Sequence, residues 1–469
     1  MNFSELSTTR HNAGITVPDD RLRSSAVLLS ALVLALCPLV SDGGEANWPQ
    51  FRGPNASGVS EAPAPTTWDI GSGEAVRWQT PIPGLGHACP IIWGDRIYLA
   101  TAVKPGKKPD VKIGLYGDID SYRETEAHQW RLLSLNKSTG AVVWDKLVLE
   151  RVPRAQRHTK ATHCNSTPAT DGKRIAAILG SEGLFCLDMD GQQLWQKDLG
   201  PMDSGFYSMT NASWGFGSSP VLYRDNVIVQ CDVLSEQFIA AYDAKDGRQV
   251  WKTIRADVPT WSTPLIALAA GREQVIANGW KEIGGYDLTT GKQLWQLHGG
   301  GDIPVASPIL AGDWFILTSG HGSSRPIRAI RLNATGDITP PSLDDTNQAI
   351  VWTHARGGDY LQTPIVVKNL LWGALYGVVT CFDLHTGKVQ YSERIGGGND
   401  GFTASPVAAG DNIYFTGERG DVFVVPAKAQ FSVIATNRLD GVCLSTPAIS
   451  EGTLFFRTTE KLIAIGNKN

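Results

Sequence analysis

The stretch GYDLTTGKQLW, Gly285 to Trp295, holds the pattern on which the rest of the chain is built. It reads as the end of one strand, a tight turn, and a second strand that delivers a large aromatic. Asp287 opens the turn and Gly291 supplies the positive φ that closes it. The same hairpin returns as SLNKSTGAVVW ending at Trp144, CLDMDGQQLW at Trp195, AYDAKDGRQVW at Trp251 and CFDLHTGKVQY at Tyr391. A stretched copy runs from IRLNATGD to AIVW at Trp352.

A second hairpin alternates with the first. A small or polar residue precedes a proline, and an apolar strand, a polar turn and another apolar strand follow. The prolines are Pro90, Pro168, Pro220, Pro264, Pro308, Pro364, Pro406 and Pro447. Two hairpins in series give a four-stranded antiparallel unit, and eight prolines give eight units. Several are about 42 to 44 residues long, the size of a propeller blade. The expected fold is therefore all-β, an eight-bladed β-propeller, with one aromatic per blade filling the wedge between neighbouring sheets.

The last unit supplies three strands before the chain ends, so EAVRWQT, carrying Trp78, is expected to complete that blade and lock the ring. The blade-docking aromatics are then Trp78, Trp144, Trp195, Trp251, Trp295, Trp352 and Tyr391. The seventh unit has FSVIATNRL where the aromatic belongs, and degenerate packing is expected there.

Composition agrees with this fold. The chain has 50 Gly and 15 Trp but 4 Met, and amphipathic helical periodicity is scarce. Its net charge is -4, and no dense basic patch with interleaved aromatics appears, so nucleic acid is not an expected partner. The one basic run, RVPRAQRHTK from Arg151 to Lys160, reads as a solvated loop.

Near the N-terminus, Arg21 and Arg23 precede an apolar run from Ala26 to Val40, which suits a signal-peptide core and is short for a membrane span. Residues 1–46 are read as an N-terminal extension and signal peptide, and 47–469 as one propeller domain. Gly44 to Ala46 offers a cleavage site. A lipid anchor at Cys37 is disfavoured because Leu36 is the wrong size for a lipobox. No transmembrane segment is expected in the mature chain, which is read as an exported, periplasmic or secreted monomer. Its six cysteines, Cys89, Cys164, Cys186, Cys231, Cys381 and Cys443, form no CxxC pair and are read as buried thiols.

The D-x-x-T-G-x-x-x-W hairpin resembles the tryptophan-docking repeat of the pyrroloquinoline-quinone (PQQ) dehydrogenases, a likeness that covers nearly the whole mature chain from about Asn47. WPQFRGPNASGVS, Trp48 to Ser60, looks like the start of exported PQQ-like repeat proteins of planctomycete-type bacteria. The resemblance implies the eight-bladed fold. It does not carry over the quinone site, because the alcohol-oxidising members hold a vicinal cysteine pair and this chain has none. The Glu, Asn and Asp with which they bind calcium find no placeable counterparts.

In a propeller the first strand of each blade lines the channel, so residues just before each proline should approach its mouth. Four neighbouring units place Asp302, Asp359, Asp400 and Asp440 there; others place His87, His163, Asn165, Trp214, Phe216 and Trp261, with Tyr360 and Phe402 beside them. A funnel with carboxylates on one side and aromatics on the other would suit a cation, a sugar or a cationic peptide. Insertions at about 102–129, 147–162 and 197–213 fall on neighbouring blades and suggest one built surface.

Gly396, Gly398 and Gly401 match a GxGxxG spacing but precede no helix, and His321 in GHGSSR reads as part of an exposed loop. No catalytic residue, metal ligand or cofactor-binding residue is assigned. The expected function is a binding or scaffold propeller with a protein, carbohydrate or other small-molecule ligand at the funnel. The alternative is a periplasmic dehydrogenase using PQQ and Ca²⁺.

Overall fold

A computed structural model describes residues 46–106, 110–114, 121–209, 212–269, 271–398 and 400–467. The expected signal segment, with Cys37, lies outside the described residues.

Eight antiparallel sheets follow one another along the chain. Blade 4 is representative, with Leu265–Ala269, Arg272–Ala277, Ile283–Asp287 and Gln293–Leu297 paired in order. The first strands of the other blades are Ile91–Trp93, Ala169–Thr170, Val221–Tyr223, Ile309–Ala311, Ile365–Val367, Val407–Ala409 and Ala448–Ser450. Neighbouring first strands approach one another, as Ile91–Trp93 does Ala169–Thr170 on one side and Ala448–Ser450 on the other, and the residue before each proline lines the channel. Blade 8 is completed by Val76–Pro81, whose Trp78 pairs with Ala464, so the N-terminal strand closes the ring.

The repeated aromatic joins blade to blade. Trp251 Nε1 donates to Leu288 O in the next blade at 2.9 Å, and Trp195 Nε1 to Ala244 O at 3.0 Å. Trp78, Trp144 and Trp352 make the same bond to Lys137 O, Met189 O and Leu384 O. Every acceptor is the residue after the Asp or Asn that opens the next turn. Each indole thus buries its ring between sheets and satisfies its one polar group there.

Two junctions differ. Trp295 donates instead to Gln274 Oε1 at 3.0 Å, and Gln274 Nε2 donates to Leu332 O at 2.7 Å, so a glutamine relays the bond across the stretched turn of blade 5. Tyr391 packs on Phe431, and its hydroxyl accepts from Trp372 Nε1.

The seventh blade is not degenerate, contrary to the sequence expectation. Trp68, from the segment ahead of the closing strand, is buried against Phe456 with ring centroids 5.6 Å apart, and its Nε1 donates to Arg438 O at 3.2 Å. Asn437 fixes this segment by bonding Trp68 N and Thr66 O. The missing aromatic is supplied from outside the repeat.

The segment from Trp48 to Ser60 runs beneath the channel. Trp48 exchanges two backbone bonds with Ile92 in blade 1, and Pro49 O accepts from Thr170 N in blade 2. Val59–Ser60 pairs in parallel with Ala408–Ala409 in blade 7. Arg52, 1% exposed, donates to Pro364 O and Pro406 O in blades 6 and 7. The segment therefore ties opposite sides of the ring together at one end.

Candidate functional site

The residue before each proline builds a belt around the channel. Cys89 N donates to Thr167 Oγ1 at 3.0 Å, Thr167 N to Ser219 Oγ at 2.9 Å, and Ser219 N to Thr263 Oγ1 at 3.0 Å. Thr263 N continues to Ser307 Oγ, Ser307 N to Thr363 Oγ1, Thr363 N to Ser405 Oγ, and Ser405 N to Thr446 Oγ1. Thr446 and Cys89 interact across the remaining gap. Proline requires an extended residue before it, and a short hydroxyl there reaches the neighbouring blade's free N–H. The small-residue–proline signature of the sequence is this belt.

Above the belt lies a cavity of about 860 Å³, with Phe51 among its lining residues. Of the expected site residues, the fold brings His87, Asn165, Trp214, Trp261, Tyr360 and Phe402 to this wall. Trp214 and Trp261 pack with centroids 5.7 Å apart, and the Phe206 ring runs nearly parallel to Trp214 with its centroid also 5.7 Å away. Trp261 Nε1 donates to Gly215 O at 2.7 Å, which fixes its ring. Burial pulls the His87 imidazole down to about 4, and its Nε2 meets Lys160 O at 2.9 Å.

The four carboxylates do not form the expected wall. Among the described residues no Asp or Glu lines the cavity. Asp302 turns to His321 Nδ1 at 2.7 Å, and it is His321 that lines the cavity. Asp359 is 2% exposed, packed back against Gly373 of blade 6, and burial pushes its carboxyl well above the usual range. Asp400 caps its own loop by accepting from Gly397 N at 2.5 Å. Asp440 is solvent-exposed at a left-handed φ of 50°, with Lys461 3.7 Å away. Phe216 is core between blades 2 and 3, presenting only its carbonyl to Asn165.

The insertions form a roof. Ser121–Tyr122 pairs with Arg157–His158, joining the first insertion to the second, and Ser121 Oγ donates to Ser213 O in the third at 2.7 Å. Lys160 reaches across to Glu418 of blade 7, whose Oε2 also accepts from Gly114 N at 2.8 Å and whose Oε1 accepts from Thr403 Oγ1 at 2.7 Å. The basic run is therefore not a solvated loop. Arg157 is buried on Glu124 at 3.2 Å, Arg151 and Arg154 flank the buried Glu182, and Lys160 is the roof's latch.

His163 leaves the wall for a buried cluster with Glu124 and His128 behind the roof. Their ligating atoms lie within 4.8 Å of one another, an arrangement that could hold a metal, but Glu124 is already occupied by Lys104 at 2.6 Å and by Arg157. Burial, reinforced by the neighbouring His128 and Arg157, pulls the His163 imidazole down to about 3.

Sequence reasoning missed Phe206, Tyr376, His158, Lys160, His321 and Arg394, all on the cavity wall. None closely precedes one of the eight belt prolines, and their placement depends on how the insertions and outer loops fold.

A family model described as outer membrane protein assembly factor BamB matches residues 57–205, 128–337 and 190–433. The chain belongs to this family of PQQ-like repeat propellers. Among solved structures of similar fold, BamB from Moraxella catarrhalis is 14% identical, covering 76% of this chain and 99% of that one, with a TM-score of 0.53. A europium-containing methanol dehydrogenase is 12% identical over 90% and 89% of the two chains, with a TM-score of 0.57. The quinohemoprotein alcohol dehydrogenase from Comamonas testosteroni is 11% identical over 91% and 82%, with a TM-score of 0.60. Identities this low establish the shared propeller and nothing finer. A search of curated proteins gives no match.

The residues of this PQQ-like repeat propeller do not fit a calcium-bound quinone. Calcium needs six or more oxygen ligands, carboxylates among them. Among the described residues the cavity wall offers no carboxylate, and Asp302 and Glu418, which bond the wall residues His321 and Lys160, are engaged by them. A vicinal cysteine pair is absent from the sequence.

Proposed function

We propose that this protein is an exported binding propeller that takes a small, ring-shaped ligand of the saccharide class into its roofed funnel. The observation that carries this reading is the paired indole wall of Trp214 and Trp261 facing a cavity large enough for one or two sugar rings. Rigid aromatic faces suit the apolar face of a pyranose, and enclosed, mostly apolar pockets with a few polar groups are typical small-ligand sites. Export is supported by Arg21 and Arg23 ahead of the apolar run from Ala26 to Val40. A glycan array tests the reading: specific signals that vanish in Trp214→Ala and Trp261→Ala are expected, and an array without signal refutes it.

A scaffold role is favoured by a different feature. The outer strand of blade 1, Val142–Arg151, is ten residues long and exposes Val142, Val143 and Leu147 on a free edge. Such an edge can accept a strand from a protein partner. Crosslinking through this strand, abolished by Val143→Lys, is its test.

A further inference from the structure

We infer that the floor of the funnel is an oxyanion seat, and that the ligand places a carboxylate there. The inference rests on the proposed saccharide reading only for the identity of the ring.

Each of the seven belt hydroxyls uses its oxygen to accept a neighbour's N–H. Among the described residues none of these hydroxyls donates its own proton to a protein acceptor, although all seven side chains belong to buried residues that line the cavity. Buried donors are satisfied in native proteins, so whatever occupies the floor must accept several hydrogen bonds at once.

Charge decides between a neutral acceptor and an anion. Arg52 lies under the belt, and its guanidinium donates to Thr363 O, Pro364 O, Pro406 O, Ser57 O and Ala56 O. At the junction of blades 8 and 1, Arg457, 2% exposed, donates to Ala88 O at 2.8 Å and Ala100 O at 2.6 Å, beside Cys89 of the belt. Among the described residues neither has a carboxylate within ion-pair distance. Their ligands are carbonyl dipoles, which satisfy the N–H groups and leave the charge. The carboxyl that acts on Arg52 from further off is Asp359, and burial pushes that group well above the usual carboxylate range, towards its neutral form. The two buried guanidinium charges therefore bias the low-dielectric channel towards positive potential. With no carboxylate on the cavity wall, nothing at the floor repels an anion.

A single ligand can fill both ends of this cavity. A uronic acid would lay its ring against Trp214 or Trp261 and extend its carboxylate into the belt, where hydroxyl donors form charge-assisted bonds.

The experiment compares glucuronate with glucuronamide on the purified full chain by titration calorimetry at neutral pH. The two differ in charge and hardly in size. Glucuronate is expected to bind at least about tenfold more tightly, as hydrogen bonds to a charged group imply, and Arg52→Gln or Ser307→Ala should narrow that ratio. Equal affinities would overturn the seat while leaving the saccharide reading intact. If neither sugar binds but millimolar acetate raises the melting temperature above chloride of equal ionic strength, an effect lost in Ser307→Ala, the seat stands and the saccharide reading falls. No response to any of the three overturns both.

Discussion

Trp251 of blade 3 lies across Gly291 of blade 4. A Cβ built on Gly291 would come within 2.5 Å of Trp251 Cε3, and the backbone there has φ +71°. The glycine is needed twice, once to close its own turn and once to admit the neighbour's indole. Gly291→Ala is expected to cost about 2–4 kcal/mol, the sum of left-handed strain and overpacking. Gly312 has a similar φ of +62° with nothing near its would-be Cβ. Gly312→Ala should therefore cost only about 1 kcal/mol. Urea denaturation midpoints of the two variants separate the clash from the strain, and equal losses would refute the docking role of Gly291.

The blade 4–5 junction offers a second check. Trp295 is 1% exposed and stacks on Phe315 at 5.2 Å. Its removal in Trp295→Ala should cost about 3–5 kcal/mol. Gln274→Met keeps the volume but strands the Trp295 N–H and Leu332 O in an apolar wedge, for which about 1–3 kcal/mol per unpaired group is expected. The two losses should be far from additive, because the relay fails when either member is gone. Additive losses in the double variant would show that the glutamine is not a relay.

The fold was legible because its proline hairpin is written eight times and its aromatic hairpin six. An Asp–Gly turn followed by an aromatic, and a small residue followed by proline, each have a local physical reason, and their alternation leaves little choice of architecture. Trp68 was illegible because it substitutes for a repeat residue from outside the repeat. The carboxylates misled for a related reason. Asp302, Asp359, Asp400 and Asp440 precede their prolines by six, five, six and seven residues, and only the residue directly before each proline is held to the channel by the belt. Further back the loops differ, and each Asp finds its own partner. The aromatics Trp214 and Trp261 reach the wall because they sit in connections covered by the insertions, whose clustering the sequence did show.

The roof depends on one buried carboxylate. Glu418 is tied to Lys160, Gly114 and Thr403, and its side chain is fully buried. Glu418→Ala removes the carboxylate that Lys160 reaches and leaves its ammonium to the Gly114 carbonyl at 3.4 Å among its other contacts; breaking such an ion pair costs about 3–5 kcal/mol where both charges are buried. Lys160 keeps some exposure, so the loss here should be smaller and local. Hydrogen exchange in residues 157–162 should accelerate, with little change in the blades. Unchanged exchange there would mean that the roof is held by the Ser121–Ser213 contacts instead.

Acid should destabilise the protein through His163. Burial lowers its pKa from 6.5 to about 3, with His128 and Arg157 adding to the effect. Glu124 pulls in the opposite direction, but its charge is shared with Lys104 and Arg157. The folded protein therefore keeps this imidazole neutral, while the unfolded chain binds a proton below pH 6.5. Stability from this group is present above that value and is lost as pH falls towards 3. By linkage the loss between pH 7 and 5.5 is about 1 kcal/mol. In His163→Gln the melting temperature should fall less over this interval than in the parent, even if the variant is less stable at pH 7. An identical pH slope in both proteins would place the acid sensitivity elsewhere, with His87, which burial pulls down to about 4, as the next residue to substitute.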